Sequence, residues 1–344
     1  MKIYKPSIFV VLLLALFVST AFINQGPIEE KKSIFDLLNF QEVVEVELFT
    51  NFEKMDSLRK TNEYQGATFA FEGPDEKVSK WAIKVRTRGK YRRRICDQPP
   101  IKLNFVKPEL EKAGLRKDDE LKLVTQCKNG STGKDYVLRE YLAYQLYQII
   151  SDNSYRSQLV RIKYNCTATG DVDKGWGIIL EDEKTLARRL NAKSCDECYG
   201  RKKEQFESSE LTKASLYQYM IGNTDFSVTL SKNIKIFTKK NDPDSTLTVA
   251  PYDFDFSGLV NASYSLPRAE HGQKTVRDRV FLGLSSDEEL APTIEHFKAK
   301  KEELFDRIDS FKLLSKSSRN DIKSYLKDFY SSIEETGIKR SIRE

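Results

Sequence analysis

Four oxygen-bearing side chains fall in an order that suits divalent-cation and phosphate chemistry. Asp225, Asn233, Asp253 and Asp255 all lie between Ile221 and Gly258. Mg2+ takes oxygen ligands, typically one or two carboxylates with phosphate oxygens and water. Enzymes of phosphoryl transfer use one Asp to accept the proton of the attacking hydroxyl. An Asn a few residues on and an Asp beyond a hairpin hold the metal. The residue types and their order fit that scheme, although seven residues separate Asp225 from Asn233 where the familiar kinase spacing has four. A structural reading stays open beside it. An Asp-x-Asp after a strand can cap backbone amides in a turn, and Asn223-Thr224-Asp225 can simply end a helix.

Neighbouring elements must bring these groups together. Residues 208–221 read as an apolar helix ending at Gly222. Asn233–Phe237 and Thr246–Ala250 read as strands joined by a turn at Asn241-Asp242-Pro243-Asp244. Such a hairpin carries Asp253 and Asp255 back toward Asp225 and Asn233. Alternation then sets the two carboxylates on one face and Tyr252, Phe254 and Phe256 on the other, as anchors for the loop. Upstream, alternating runs predict strands at 44–48, 67–71, 81–87, 101–105 and 121–124. A helix follows at 135–150, started by Asp135, then strands at 160–164 and 176–180 and a helix at 182–193. Residues 286–314 and 317–338 repeat apolar side chains at helical steps. The order is a β-rich first part, one helix, more strands and a helical end, an α+β arrangement in two lobes.

Composition narrows the choices. Of 344 residues, 39% are hydrophobic and 11% aromatic, enough for a sizeable core, which excludes wholesale disorder. The two histidines, His271 and His296, exclude a three-His zinc site. No G-x-S-x-G elbow accompanies them. The net charge is only +6, so nucleic acid is not an expected partner. The one dense basic run is Arg86, Arg88, Arg92, Arg93 and Arg94. It reads as a charged hairpin, as a site for nucleotide or substrate phosphates, or as a local patch for nucleic acid or anionic lipid headgroups.

The first 25 residues have a charged start at Lys2 and Lys5, an apolar run from Ile8 to Val18, and small or polar residues after it. This is the pattern of an export signal, with an uncleaved anchor as the alternative and the only expected tie to a membrane. The chain after it is expected outside the cytoplasm, in a bacterial periplasm or at the cell surface. Residues 26–45 read as a linker, 46–182 as the β-rich region and 183–344 as the helical region. Five cysteines, Cys96, Cys127, Cys166, Cys195 and Cys198, are expected to form disulfides in such a compartment. Cys96 and Cys127 flank neighbouring strands and are the favoured pair, and the odd count leaves one thiol over. Cys195-x-x-Cys198 also looks like half a zinc knuckle, without a second half.

Taken together, VRTRGKYRRR at 85–94, PPIKLNF at 99–105, VLREYLAYQLYQII at 137–150, GWGIILED at 175–182, GNTDF at 222–226 and PYDFD at 251–255 resemble the motifs of the spore-coat protein H (CotH) type of atypical kinases. The resemblance spans about half the chain. It implies an exported, two-lobed, protein-kinase-like fold that transfers phosphoryl from Mg-ATP to a hydroxyl, such as one of a secreted or envelope protein. Carried over residue by residue, Asp225 is the general base or orients the hydroxyl. Asn233 and Asp253 hold Mg2+, with Asp255 as a second ligand or its support. Lys102, on a strand, meets the nucleotide phosphates, with Lys84 and Arg88 as competitors, and Glu140 pairs with that lysine. The strand end at Glu181-Asp182 faces the adenine. The sequence departs from the pattern in the long loop before Asn233 and in lacking a His after Asp225. Two other readings are compatible with the same residues: an inactive binding or envelope-assembly protein, and a polyanion- or glycan-binding module using Arg86–Arg94.

Overall fold

The alternating strands of the first half close on themselves. In a computed structural model describing residues 1–2, 31–240, 246–335 and 337–340, seven strands make a barrel. They are β1 (Val43–Thr50), β2 (Gln65–Glu72), β3 (Val78–Thr87), β4 (Ile101–Phe105), β5 (Glu120–Thr125), β6 (Ser157–Cys166) and β7 (Val172–Leu180). Their order is β1-β2-β3-β4-β5-β7-β6. Neighbours run antiparallel except at the seam, where β6 lies parallel to β1 and pairs Leu159 with Val43 through Cys166 with Thr50. A smaller sheet, ordered β10-β9-β8, comprises β8 (Ala192–Ser194), β9 (Ile234–Lys239) and β10 (Thr248–Pro251).

The helices are α1 (Ile34–Leu38), α2 (Phe52–Ser57), α3 (Arg92–Ile95), α4 (Lys107–Lys112), α5 (Gly130–Ile150), α6 (Glu183–Arg189), α7 (Ser208–Met220), α8 (Asp287–Ala299), α9 (Lys301–Ser310) and α10 (Lys316–Glu335). Side chains alternate across the barrel wall. Leu121, Leu123, Val160, Ile162 and Ile179 join Phe69, Phe71 and Phe105 in the barrel core. Val124, Leu159, Ile178 and Leu180 belong to a second core with α5, α7 and the C-terminal helices. The wall β5-β7-β6 thus has an apolar layer on each side, which explains the unbroken Ile178-Ile179-Leu180 run. Helix α5 lies against that wall and α9 and is buried around most of its circumference.

This architecture corrects the two-lobed, protein-kinase-like expectation. The strands close into a barrel, and Lys32–Glu344 is one compact unit of mixed α and β content. The two cores share one wall, so there is no separable pair of lobes. Local corrections follow from particular contacts. Asp135 does not start α5, because the helix begins five residues earlier, after Asn129, and Asp135 accepts a bond of 2.6 Å from Arg139. The segment 286–314 is two helices that meet at Lys300, the first opened by a Ser286–Glu289 capping box. The signal-like stretch beyond Lys2, linker residues 26–30 and the turn at 241–244 lie outside the described residues. Among the described residues no helix is long and apolar enough to cross a membrane.

Candidate functional site

Helix α7 runs out at Gly222, whose φ of +66° turns the chain sharply. The following loop is braced by its own asparagine: Asn223 Oδ1 accepts from the Asp225 amide at 2.9 Å, and its Nδ2 donates to Gln218. The Asp225 carboxylate then meets Asn233 Nδ2 at 3.0 Å, Lys232 and Arg268. Asn233 also donates to the Asp225 carbonyl at 2.7 Å, which leaves its Oδ1 as the atom a cation would use. Across the hairpin, Pro251 ends β10 and Asp253 enters the left-handed region at φ +64°. Its N–H donates to Tyr144 Oη on α5 at 2.8 Å. Phe254 anchors the loop, fully buried against Tyr144 and Tyr217 with ring centroids 4.8 and 5.6 Å apart.

One turn before Tyr144, α5 presents Glu140. One carboxylate oxygen each from Glu140, Asp253 and Asp255 lies within 4.8 Å of the others. Glu140 and Asp255 are 1% and 3% exposed, and Glu140 Oε1 and Asp255 Oδ2 are buried without a hydrogen-bond partner. Arg92, at the start of α3, sends one guanidinium nitrogen to 3.3 Å from Glu140 and 3.6 Å from Asp255. Its other terminal nitrogen donates to the Thr125 carbonyl at 2.7 Å.

Burial dominates the electrostatics. It pushes the Glu140 carboxyl up to about 7 against the opposing pull of Arg92. Burial, followed by the Asp253 charge, drives Asp255 well above the usual carboxylate range. Burial also works against the Arg92 charge, but Tyr264, Asp255 and Glu140 together hold it above its ordinary value. On the outer face of β5, burial and then Arg88 lower Lys122 to about 8. Its ammonium lies over the rings of Tyr155 and Tyr252 at 5.6 and 4.9 Å.

Beside these groups lies a cleft of about 740 Å3 whose lining includes Arg88, Lys90, Arg92, Asp225, Asn233, Asp253 and Asp255. Asn233 and Asp253, together with Ser231 on the same lining, have left-handed backbones without being glycine. Strain of this kind collects at functional sites.

The structure therefore brings together Arg88, Asp225, Asn233, Asp253 and Asp255, and sets Glu140 beside the last two. It does not bring Lys102 or Glu181 there. Lys102 projects from β4 next to Lys122 on β5 and lies 2.6 Å from Glu120. The expected Lys102–Glu140 pair is absent because Arg92 reaches Glu140 instead. Glu181 is sealed in an ion-pair knot, accepting from Arg156 at 2.9 Å and from Arg189 at 2.5 Å. The basic run does not form a continuous patch. Arg92 is buried, and Arg86 and Arg93 both donate to Asn62 and to the Thr87 carbonyl.

Sequence reading passed over Arg92 as a partner of the acids, and Lys122 and Tyr144 as site residues. The four-residue step from Glu140 to Tyr144 and the alternation around Lys122 were the available signals. Cys96 is bonded to Cys127, as the flanking strands suggest. Cys195 is bonded to Cys198, which uses the thiols a zinc knuckle would need, and Cys166 is left free. Two disulfides are compatible with an exported chain. Neither a protein-family model nor any curated protein matches this sequence.

Proposed function

We propose that this cleft holds a divalent cation, Mg2+ by preference, and transfers a phosphoryl group from a nucleoside triphosphate such as ATP to a hydroxyl. The observation that carries the reading is the convergence of Glu140, Asp253 and Asp255 within 4.8 Å, with Glu140 Oε1 and Asp255 Oδ2 buried without a hydrogen bond and Arg92 no nearer to the latter than 3.6 Å. An unsatisfied buried polar atom costs about 1–3 kcal/mol, and more when charged. A cation bound there would remove that penalty. An all-oxygen donor set suits Mg2+ or Mn2+ better than softer metals, and Asn233 Oδ1 is a further candidate oxygen. The ion would supply neutralisation of phosphate charge.

The remaining roles fall to the protein's own groups. Arg88 and Lys90 line the same cleft and are the donors available to phosphate oxygens, with Lys122 behind them. Asp225 faces the cleft to orient a hydroxyl and take its proton. The acceptor class we favour is Ser or Thr of a secreted or envelope protein, in the periplasm or at the cell surface, which the two disulfides support. The proposal stands on the cleft and needs no kinase-like fold.

One observation favours a second reading. Asp225 is gripped by Lys232, Arg268 and Asn233, as suits a protein that binds a metal–nucleotide pair without transferring phosphoryl. Incubation of the full chain with γ-labelled ATP, Mg2+ and a mixture of secreted proteins separates the two. Transfer that is lost in Asp225→Ala and in Asp253→Asn, each with unchanged circular dichroism, is expected. Binding without transfer favours the second reading. Full activity in Asp253→Asn, or no binding at millimolar nucleotide, refutes the proposal.

A further inference from the structure

We infer that Arg92 acts as a fixed internal cation that restricts the acidic site to a single divalent ion. This rests on the metal-binding reading above and goes beyond it, because it concerns the charge and number of ions the site admits. When ionised, Glu140, Asp253 and Asp255 contribute three negative charges. Arg92 adds one positive charge, and a net of two negative charges remains for one divalent ion to cancel. A second divalent ion would turn that balance into an excess of two positive charges in a buried place, and a trivalent ion would leave an excess of one. Between close groups of low exposure each uncancelled charge is expensive.

The guanidinium is held too firmly to step aside. Arg92 is 8% exposed and fixed on the Thr125 carbonyl at 2.7 Å. The short helix it starts is tied down just beyond Ile95 by the Cys96–Cys127 disulfide. The Asp97 amide donates to the Cys127 carbonyl at 2.9 Å, and Lys128 donates to the Ile95 carbonyl at 2.9 Å. Arg92 also stands on the edge shared by Glu140 and Asp255. Its guanidinium closes that edge to a second ion at the spacing of about 3.5–4 Å typical of two-metal sites. Arg88 and Lys122 are the other cations close to these acids, and in the proposed reaction they answer to the phosphates. Among the described residues, Arg92 alone is paired directly with carboxylates of this trio, Glu140 and Asp255.

Ion counting on the full chain tests this without any activity assay. Wild type should bind one Mn2+ per chain, measured by paramagnetic resonance of the free ion, and should lose it in Asp253→Asn. Tb3+ and Ca2+ are close in size and differ in charge, so their competition reads the charge preference. Arg92→Gln should raise the preference for Tb3+ over Ca2+ on the order of a hundredfold, or admit a second Mn2+, while Arg92→Lys should stay near wild type. A purely structural arginine could only weaken binding on removal. Two Mn2+ in wild type, both lost in Asp253→Asn, overturn the inference while leaving the metal site standing. A folded Arg92→Gln with unchanged ion preference and one Mn2+ does the same. If Arg92→Gln does not fold, the wild-type count decides. Wild type that takes no Mn2+ refutes the metal-binding reading itself and the inference with it.

Discussion

The two loops that carry the acids are joined at a pair of glycines, and one tyrosine hydroxyl occupies the notch between them. Gly258 N–H donates to the Gly222 carbonyl at 3.1 Å, and Leu259 N–H donates to Ile221 at 3.0 Å. A β-carbon on Gly222 would lie 2.1 Å from Tyr325 Oη, and one on Gly258 would lie 2.4 Å from the same atom. Tyr325 cannot easily withdraw. Its hydroxyl donates to the Arg277 carbonyl at 2.9 Å, and Arg279 lies over its ring at 3.8 Å. Gly222→Ala therefore combines two penalties. A left-handed backbone with a β-carbon costs roughly 1–2 kcal/mol, and the collision in a packed interior adds roughly 1–3 kcal/mol. Tyr325→Phe alone should cost about 1 kcal/mol for the lost hydrogen bond.

In the double variant most of the collision is relieved, because the next nearest atom to the new β-carbon is the ring carbon Cζ at 3.3 Å, a contact that a small shift accommodates. The double variant should then be less destabilised than the sum of the singles, by most of the collision energy of about 1–3 kcal/mol. Gly258→Ala should not be rescued in this way, since its β-carbon also meets the backbone of Arg277 and Val276 at 2.9 Å. Urea unfolding of the four proteins of the cycle gives these energies, and Mn2+ titration shows whether the acids have moved. Strict additivity, or a Gly222→Ala protein as stable as wild type, would show that the notch does not hold the two loops together.

Three further outcomes are expected. Lys122 is lowered from 10.5 to about 8, so its charge opposes folding at neutral pH by on the order of 3 kcal/mol. A lysine depressed in the folded state contributes stability that is full above 10.5 and is lost as pH falls toward 8. Lys122→Met should accordingly be more stable than wild type at pH 7, converge with it near pH 10.5, and bind Mg-ATP more weakly; equal stability at both pH values counts against this. Tyr144→Phe leaves the Asp253 N–H without its acceptor and should lower stability by about 1–3 kcal/mol and Mn2+ affinity with it, whereas unchanged affinity would separate Tyr144 from the site. The Cys96–Cys127 bond spans 31 positions and Cys195–Cys198 spans 3, so by loop entropy removing the first should cost about 4 kcal/mol and the second about 2 kcal/mol. Only the first should also shift the ion preference toward Tb3+ over Ca2+, because it tethers the segment carrying Arg92; equal effects of the two on that preference would speak against that tether.

Local physics made much of this protein legible before any coordinates. Alternation of side chains predicts the strands because that periodicity belongs to each segment by itself: Ile101–Phe105 is a strand with the expected ends, and Val44–Leu48 and Trp81–Thr87 lie within β1 and β3. The pairing of Cys96 with Cys127 was expected as the favoured one from the strands they flank. The meeting of Asp225 and Asn233 with the Asp253 loop was readable, because a single hairpin connects them. Barrel closure was not readable. It depends on β1 accepting β6 in parallel, with Val43 beside Leu159, and no pattern within either strand encodes a partner more than a hundred residues away. For the same reason the chain alone did not disclose which base meets which acid. Lys102 and Arg92 are both basic residues near the same strands, but β4 delivers Lys102 to Glu120. The disulfide-tied helix delivers Arg92 to Glu140 and Asp255. Residue chemistry determined what the site could hold, and packing between distant segments decided which side chains enclose it, because contact energies between remote elements leave no periodic trace in the chain.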